Sequence, residues 1–169
     1  MKPVQNGIEI REIPKEDLLM VRELALQIFP ATYVNIVDAA QIDYMMDLFY
    51  SPETLISQYD SGQVFLIIYF EGKAKGYASY TRLNAEGDFK LNKIYLDHHL
   101  QGKGLGKNLL LGLIIRVKSA GGKTLQLNVN KYNKSFGFYQ YMGFSKLKEE
   151  LLDIGGGHFM DDYVMELII

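Results

Sequence analysis

Three glycines fall within five residues, at Gly102, Gly104 and Gly106, between an apolar run and a leucine-rich segment. The run FKLNKIYL, Phe89 to Leu96, reads as a strand. The segment GLGKNLLLGLIIRVKSAGG carries Leu105, Leu109, Gly112, Leu113 and Val117 along one side of a helix, and Gly121-Gly122 terminates it. KTLQLNV, Lys123 to Val129, is a strand again. Strand, bare loop, helix and strand in succession mark a mixed α/β fold. The loop also has a chemistry. Glycine permits backbone conformations and close approaches that side chains block, so several free N–H groups can surround one point. The start of the helix adds its positive dipole end, and Lys103 and Lys107 add charge. A pyrophosphate suits such a cradle; a turn that serves packing alone is the plainer alternative.

Two nucleotide loops are excluded by counting. A Walker A motif ending at Gly106-Lys107 needs glycine at 101 and Ser or Thr at 108, where the chain has Gln101 and Asn108. A dinucleotide fingerprint beginning at Gly102 needs glycine at 107, which is Lys107.

The rest of the chain fills out the same fold class. GIEIREI, Gly7 to Ile13, alternates as a half-buried strand does. KEDLLMVRELALQIF spaces Leu18, Val21, Leu24, Ala25 and Ile28 helically, with Glu16 and Asp17 in the first turn and Pro30 as its expected end. ATYVNIVDAAQIDYMMDLFY predicts a second helix or a broken pair, and Ser51-Pro52-Glu53 opens another. QVFLIIYF and KGYASYTRL form a hairpin around Glu71-Gly72-Lys73. Asn133 to Tyr141 reads as a short helix closed by Gly143, and FSKLKEELL and HFMDDYVMELII as two last strands around Gly155-Gly156-Gly157. With 169 residues and no repeat or linker, one domain over 1–169 is expected.

Composition narrows the function. A net charge of −2 lacks the basic excess of a nucleic-acid binder. The absence of cysteine excludes a thiol nucleophile, a disulfide framework and a cysteine metal site, and fits a reducing cytoplasm. The charged N-terminal stretch has no apolar signal-peptide core, and no run reaches the length of a membrane span, so a cytoplasmic location is expected, with no membrane partner.

Gln101-Gly102-Lys103-Gly104-Leu105-Gly106 resembles the Q/R-x-x-G-x-G/A signature of the GNAT superfamily of N-acetyltransferases. NKIYLD resembles the family's fourth strand, and NKSFGFYQYMGF its N-x-x-A-x-x-F-Y-x-x-x-G-F segment, with Asn133, Phe138, Tyr139, Gly143 and Phe144 in register. The resemblance covers nearly the whole chain and is weakest from Ala31 to Tyr59, where the acceptor pocket is usually shaped. It implies an α+β fold: a mixed sheet of six to seven strands, splayed between the fourth and fifth and flanked by about four helices. It implies acetyl-CoA as cosubstrate and no metal. Backbone groups of Ile94, Tyr95 and Leu96 would pair with the pantetheine arm, Gln101, Gly102, Lys103, Gly104, Leu105, Gly106 and Lys107 would hold the pyrophosphate, and Asn133 would contact the arm. Tyr139 would be the general acid for the departing thiolate. Phe136 stands where the family usually has alanine.

Acyl transfer from a thioester needs a neutral amine, an oxyanion stabiliser and help for the leaving group. An aliphatic ammonium has a pKa near ~10, so it must lose a proton in the site. Many relatives carry a glutamate on the strand before the loop; here Lys90, Asn92 and Lys93 stand there. His158, after the triple glycine, is one candidate base; Asp161 and Asp162 are others, and deprotonation through ordered water is an equal alternative. Phe29-x-x-Thr32-Tyr33, Ser51-x-Glu53 and the late DDYVMEL resemble bacterial polyamine acetyltransferases. The function implied is transfer of acetyl to a primary amine, small-molecule or peptide, directly within a ternary complex. A homodimer is common among the relatives. A non-catalytic acyl-CoA-binding sensor is the competing class, kept open by the missing strand glutamate.

Overall fold

The computed structural model describes residues 6–100 and 102–169. Its strands are β1 (Ile8–Glu12), β2 (Val64–Phe70), β3 (Lys73–Arg82), β4 (Asp88–Leu96), β5 (Thr124–Asn130), β6 (Ser145–Gly155) and β7 (His158–Ile168). They form one seven-stranded sheet in the order β1-β2-β3-β4-β5-β7-β6. Every neighbouring pair is antiparallel except β4 and β5, which are parallel. That parallel pair requires a crossover, and the helix after the glycine loop, α4 (Leu105–Ser119), supplies it. The other helices are α1 (Leu19–Tyr33), α2 (Ala39–Tyr50), α3 (Pro52–Asp60) and α5 (Ser135–Tyr141). Among the described residues no helix is long and apolar enough to cross a membrane.

Two apolar cores lie on opposite faces of the sheet. One packs Leu109, Leu110, Leu113 and Val117 of α4 on Leu66, Ile68, Phe89, Leu91, Leu125 and Leu127. The other packs Val21, Ala25, Ile28 and Phe29 of α1 and Met45 and Met46 of α2 on Phe65, Ile67 and Tyr77. Because β2 is covered on both faces, VFLIIYF reads as an unbroken apolar run rather than an alternation.

Two sequence expectations at α1 need correction. The acidic pair Glu16 and Asp17 belongs to a separate 3₁₀ turn, Lys15–Asp17, and α1 begins only at Leu19. Nor does Pro30 end the helix, which runs on to Tyr33. The carbonyl deprived of a donor is that of Leu26, whose side chain is exposed, while burial of Phe29 and Tyr33 holds the last turn against the core. The segment after it resolves into α2, capped by the Asp38 carboxylate, which accepts from the Gln41 N–H at 2.8 Å.

Where β3 meets the end of β4, Gly76 faces Leu96 in register. A Cβ there would stand 2.7 Å from the Tyr95 carbonyl oxygen, 2.9 Å from Leu96 Cδ1 and 3.0 Å from Ile68 Cγ2. Backbone oxygen cannot swing aside as a side-chain end can, so β3 and β4 approach this closely only over glycine. Gly76→Ala is expected to cost about 1–3 kcal/mol by overpacking, read as a Tm lowered by about 2–4 °C per kcal/mol. Gly137→Ala, in α5 with nothing within 4 Å of its Cβ, serves as the contrast in the same melts. It should leave Tm unchanged or raise it by helix propensity.

Candidate active site

The site originates in one extra residue. Between β3 and β4 the register runs Tyr80↔Leu91 and then Ser79↔Lys93, so Asn92 is a bulge. Its side-chain amide donates to Thr81 Oγ1 at 2.7 Å. The pairing of β4 with β5 covers only Asp88–Leu91 against Thr124–Leu127 and stops at that bulge. Beyond it β4 follows β3 as far as Leu96, whereas β5 follows β7 as far as Asn130. The two strands separate, and Ile94, Tyr95 and Leu96 are left with an unpaired edge. The bulge also puts Leu91 and Ile94 on the α4 face and turns Lys93 and Tyr95 toward α1 and α2.

The separation opens a cavity of about 780 Å³, within the usual range of ligand sites. Its walls include the end of α1 (Thr32, Tyr33) and the turn after it (Asn35, Ile36), β4 from Leu91 to Leu96, Asn128 to Asn130, and Tyr139 of α5. At one end stands the glycine loop. Gly104 holds φ 74° at the start of α4, and no side chain caps the helix, so its first N–H groups face outward. Gly102, at φ 86°, has nothing within 4 Å of where its Cβ would be, and Gly104 meets only Asn108 Nδ2 at 3.9 Å. The bare face is thus open rather than packed away, which is what a bound pyrophosphate needs. Among the described residues no cluster of three acids or histidines could hold a metal ion.

Most of the residues singled out in the sequence converge here. Ile94, Tyr95, Leu96, Gly102, Gly104, Leu105, Gly106, Lys107, Asn133 and Tyr139 all line the cavity. Gln101 lies outside the described residues. Lys103 is exposed over the Phe70 ring and does not line the cavity. Asn133 Oδ1 accepts from the Ser135 N–H at 2.9 Å, which leaves its amide group to donate. Phe136 packs against Tyr163, with ring centroids 5.0 Å apart, and stays off the cavity wall. His158 is not brought to the others: its ring rests on Tyr44, 4.8 Å away, outside the lining. Asp161 pairs with Lys131 at 2.9 Å. Asp162 is 1% exposed behind the wall, with Oδ2 accepting from Asn128 Nδ2 at 3.3 Å and Oδ1 without a partner.

Burial dominates the electrostatics of the inner wall. Tyr139 is 7% exposed and makes no hydrogen bond to a described residue. Burial, with a smaller push from the nearby Tyr33, raises its hydroxyl well above the ordinary phenol range. Tyr33 and Tyr95 share a hydroxyl–hydroxyl bond of 3.1 Å, and Tyr77 donates to Tyr50 at 2.8 Å. Burial first of all raises these four phenols too. Burial has the opposite sign for the one deeply placed cation among the described residues: Lys93, 7% exposed, is lowered to about 8. Sequence reasoning passed over Lys93 as merely not a carboxylate. The usable signal was a lysine inside an apolar strand run, where no charged face accounts for it.

A family model described as "Acetyltransferase (GNAT) domain" matches residues 38–159. Among solved structures, the chain is similar to the PaiA N-acetyltransferase of Thermoplasma acidophilum in complex with coenzyme A. They share 27% identity over 96% of this chain and 99% of that one, with a TM-score of 0.77. The ribosomal-protein-S18-alanine N-acetyltransferase of Escherichia coli has the same fold at 20% identity, over 96% and 94% of the two chains, with a TM-score of 0.72. So does YncA of Salmonella typhimurium, solved with acetyl-CoA, at 20% identity over 96% and 94%, with a TM-score of 0.65. A splayed β4–β5 pair, an open glycine loop at the head of α4 and a matching family model lead to one conclusion: the chain belongs to the GNAT family of acetyl-CoA-dependent N-acetyltransferases.

Proposed function

We propose that residues 1–169 form one N-acetyltransferase domain that moves acetyl from acetyl-CoA to a primary amine directly, with both substrates bound together. The observation that carries the reading is the unpaired β4 edge at Ile94–Leu96, facing a cavity with the glycine loop at one end. Backbone groups of that edge pair with the pantetheine arm as a neighbouring strand would, and an amide at the splay donates to the thioester carbonyl oxygen. The amides of Gly102 to Lys107 and the start of α4 hold the pyrophosphate, with the Lys107 ammonium close by. Asn133 donates to the arm. Tyr139 keeps its proton because burial disfavours the phenolate, and gives it to the departing sulfur. The acceptor enters beside the end of α1, where Thr32, Tyr33, Asn35 and Ile36 form the opposite wall. A polyamine is the acceptor class that the sequence resemblance favours, ahead of peptide N-termini and amino sugars.

Saturating acetyl-CoA should raise the melting temperature, since a ligand at 100 times its Kd adds about 2.7 kcal/mol to the folded state. Gly104→Val places a branched side chain at φ 74° in the open cradle and should abolish that ligand-induced shift, measured against the variant's own Tm. A wild-type protein with no shift at saturation would remove the reading. For catalysis the assay is free thiol released with spermidine, glucosamine and a short peptide as acceptors. Tyr139→Phe should lower kcat by about 10²-fold or more, with acetyl-CoA binding retained. Unchanged thiol release in that variant would refute the acid role.

A further inference from the structure

What takes the proton from the acceptor amine is a question raised by the acetyl transfer proposed above, and the inference rests on that reading. No aspartate or glutamate stands among the described residues that line the cavity. The lining bases are Lys93, His98, Lys107 and Lys134. Lys107 and Lys134 are exposed. His98 is exposed as well, and its Nε2 lies 3.1 Å from Thr32 Oγ1. His158 and Asp162 stand outside the lining.

Lys93 differs from all of these. The bulge at Asn92 places it on the face shared with Tyr95, three residues before the strand end at Leu96 that borders the splay. It is 7% exposed, its ammonium sits 5.3 Å from the centre of the Tyr50 ring, and it has no ion pair or hydrogen bond with a described residue. Besides Tyr50 from α2, the core on this face carries the phenols of Tyr33 from α1 and Tyr77 from β3, with Tyr95 on the same strand as Lys93. Ser79, opposite in register, donates to Gln63 at 3.0 Å. None of these groups is charged near neutral pH. A buried, unpaired lysine costs stability and needs a reason.

We propose that Lys93 is the proton acceptor of the transfer reaction, taking up the proton that the amine nitrogen sheds as it bonds to the thioester carbonyl carbon. The C–N bond forms, the C–S bond breaks, Lys93 becomes an ammonium, and Tyr139 protonates the sulfur. Solvent then returns a proton to Tyr139 and removes one from Lys93, so the net transfer is one proton from nitrogen to sulfur. Desolvation holds Lys93 at about 8, close to the working range a general base requires. The neutral form prevails above that pH and is lost below it.

The test uses the full chain and whichever of spermidine, glucosamine or a short peptide gives the fastest thiol release, with kcat/KM followed from pH 6 to 10. Wild type should show an acid limb near pH 8, separate from the acceptor's own ionisation. Lys93→Met should lose that limb and about 10²-fold or more in kcat, with both KM values within a few-fold and the acetyl-CoA thermal shift intact. Lys93→Arg keeps a charge that cannot be removed and should be equally impaired. Should Lys93→Met fail to fold, the arginine variant decides. An arginine variant that retains kcat, or a methionine variant changed only in acceptor KM, makes Lys93 an anion-recognition residue and overturns the proposal. So does a limb that survives in Lys93→Met or disappears in Asp162→Asn. Absence of thiol release with all three acceptors, despite a thermal shift, would instead sink the reading of the acceptor as one of these amines.

Discussion

Everything in the site depends on the point where β4 stops pairing with β5. A regular parallel pair would satisfy the amides and carbonyls of Ile94, Tyr95 and Leu96 within the sheet and leave nothing for a ligand. One additional residue, Asn92, is enough to end the ladder at Leu91. The crossover through α4 then determines where the glycine loop falls. A helix leaving the end of β4 to return alongside β5 must begin over the gap, so the helix terminus and the unpaired edge border the same cavity. Splay and cradle are therefore one feature of the topology.

The two faces of β4 contribute different things. On the α4 side, Leu91 and Ile94 continue an aliphatic core whose layers fix the loop and α5. On the α1 and α2 side, aromatic rings pack edge to face around Tyr50, Tyr77 and Tyr95, and their hydroxyls bond in pairs. Paired hydroxyls meet the demand that buried polar groups be satisfied without introducing charge. The acidic groups of this face are held further out, on β6 and β7, where Asn128 reaches both Glu150 and Asp162.

The fold was largely legible because its signals are local. Turn glycines, the period of two in β5 and the spacing of Leu105, Leu109 and Leu113 each depend on near neighbours. Seven strands and five helices appear where six to seven and about four were expected. The glycine loop and the place of Tyr139 on the cavity wall were readable for the same reason, since each sits in a short motif. Two kinds of feature were not. Pro30 ought to stop a helix by local rules, but packing of Phe29 and Tyr33 carries the helix past it. Lys93 owes its character to Tyr50, 43 positions away in the chain, and to a bulge that only strand pairing reveals. His158 was a candidate because it follows the triple glycine, yet Tyr44 packs across that turn, with its hydroxyl donating to the Ile154 carbonyl at 2.7 Å.

Burial acts in opposite senses on the two groups proposed to transfer protons. Taking a phenol out of water disfavours the phenolate, so Tyr139 keeps its proton. Taking an ammonium out of water disfavours the cation, so Lys93 gives its proton up more readily, at about 8. With no carboxylate among the described lining residues, burial favours the neutral form of each, for Lys93 above a pH of about 8, and these are the forms that the proposed acid and base require. A carboxylate base in the same wall would stabilise the acceptor as ammonium, and that attraction would have to be undone before nitrogen could attack. A neutral lysine makes no such demand. Under the proposed roles, the lack of an acid in the cavity-lining part of β4, Leu91 to Leu96, fits a different division of labour, with desolvation setting both proton affinities and no buried ion pair to break.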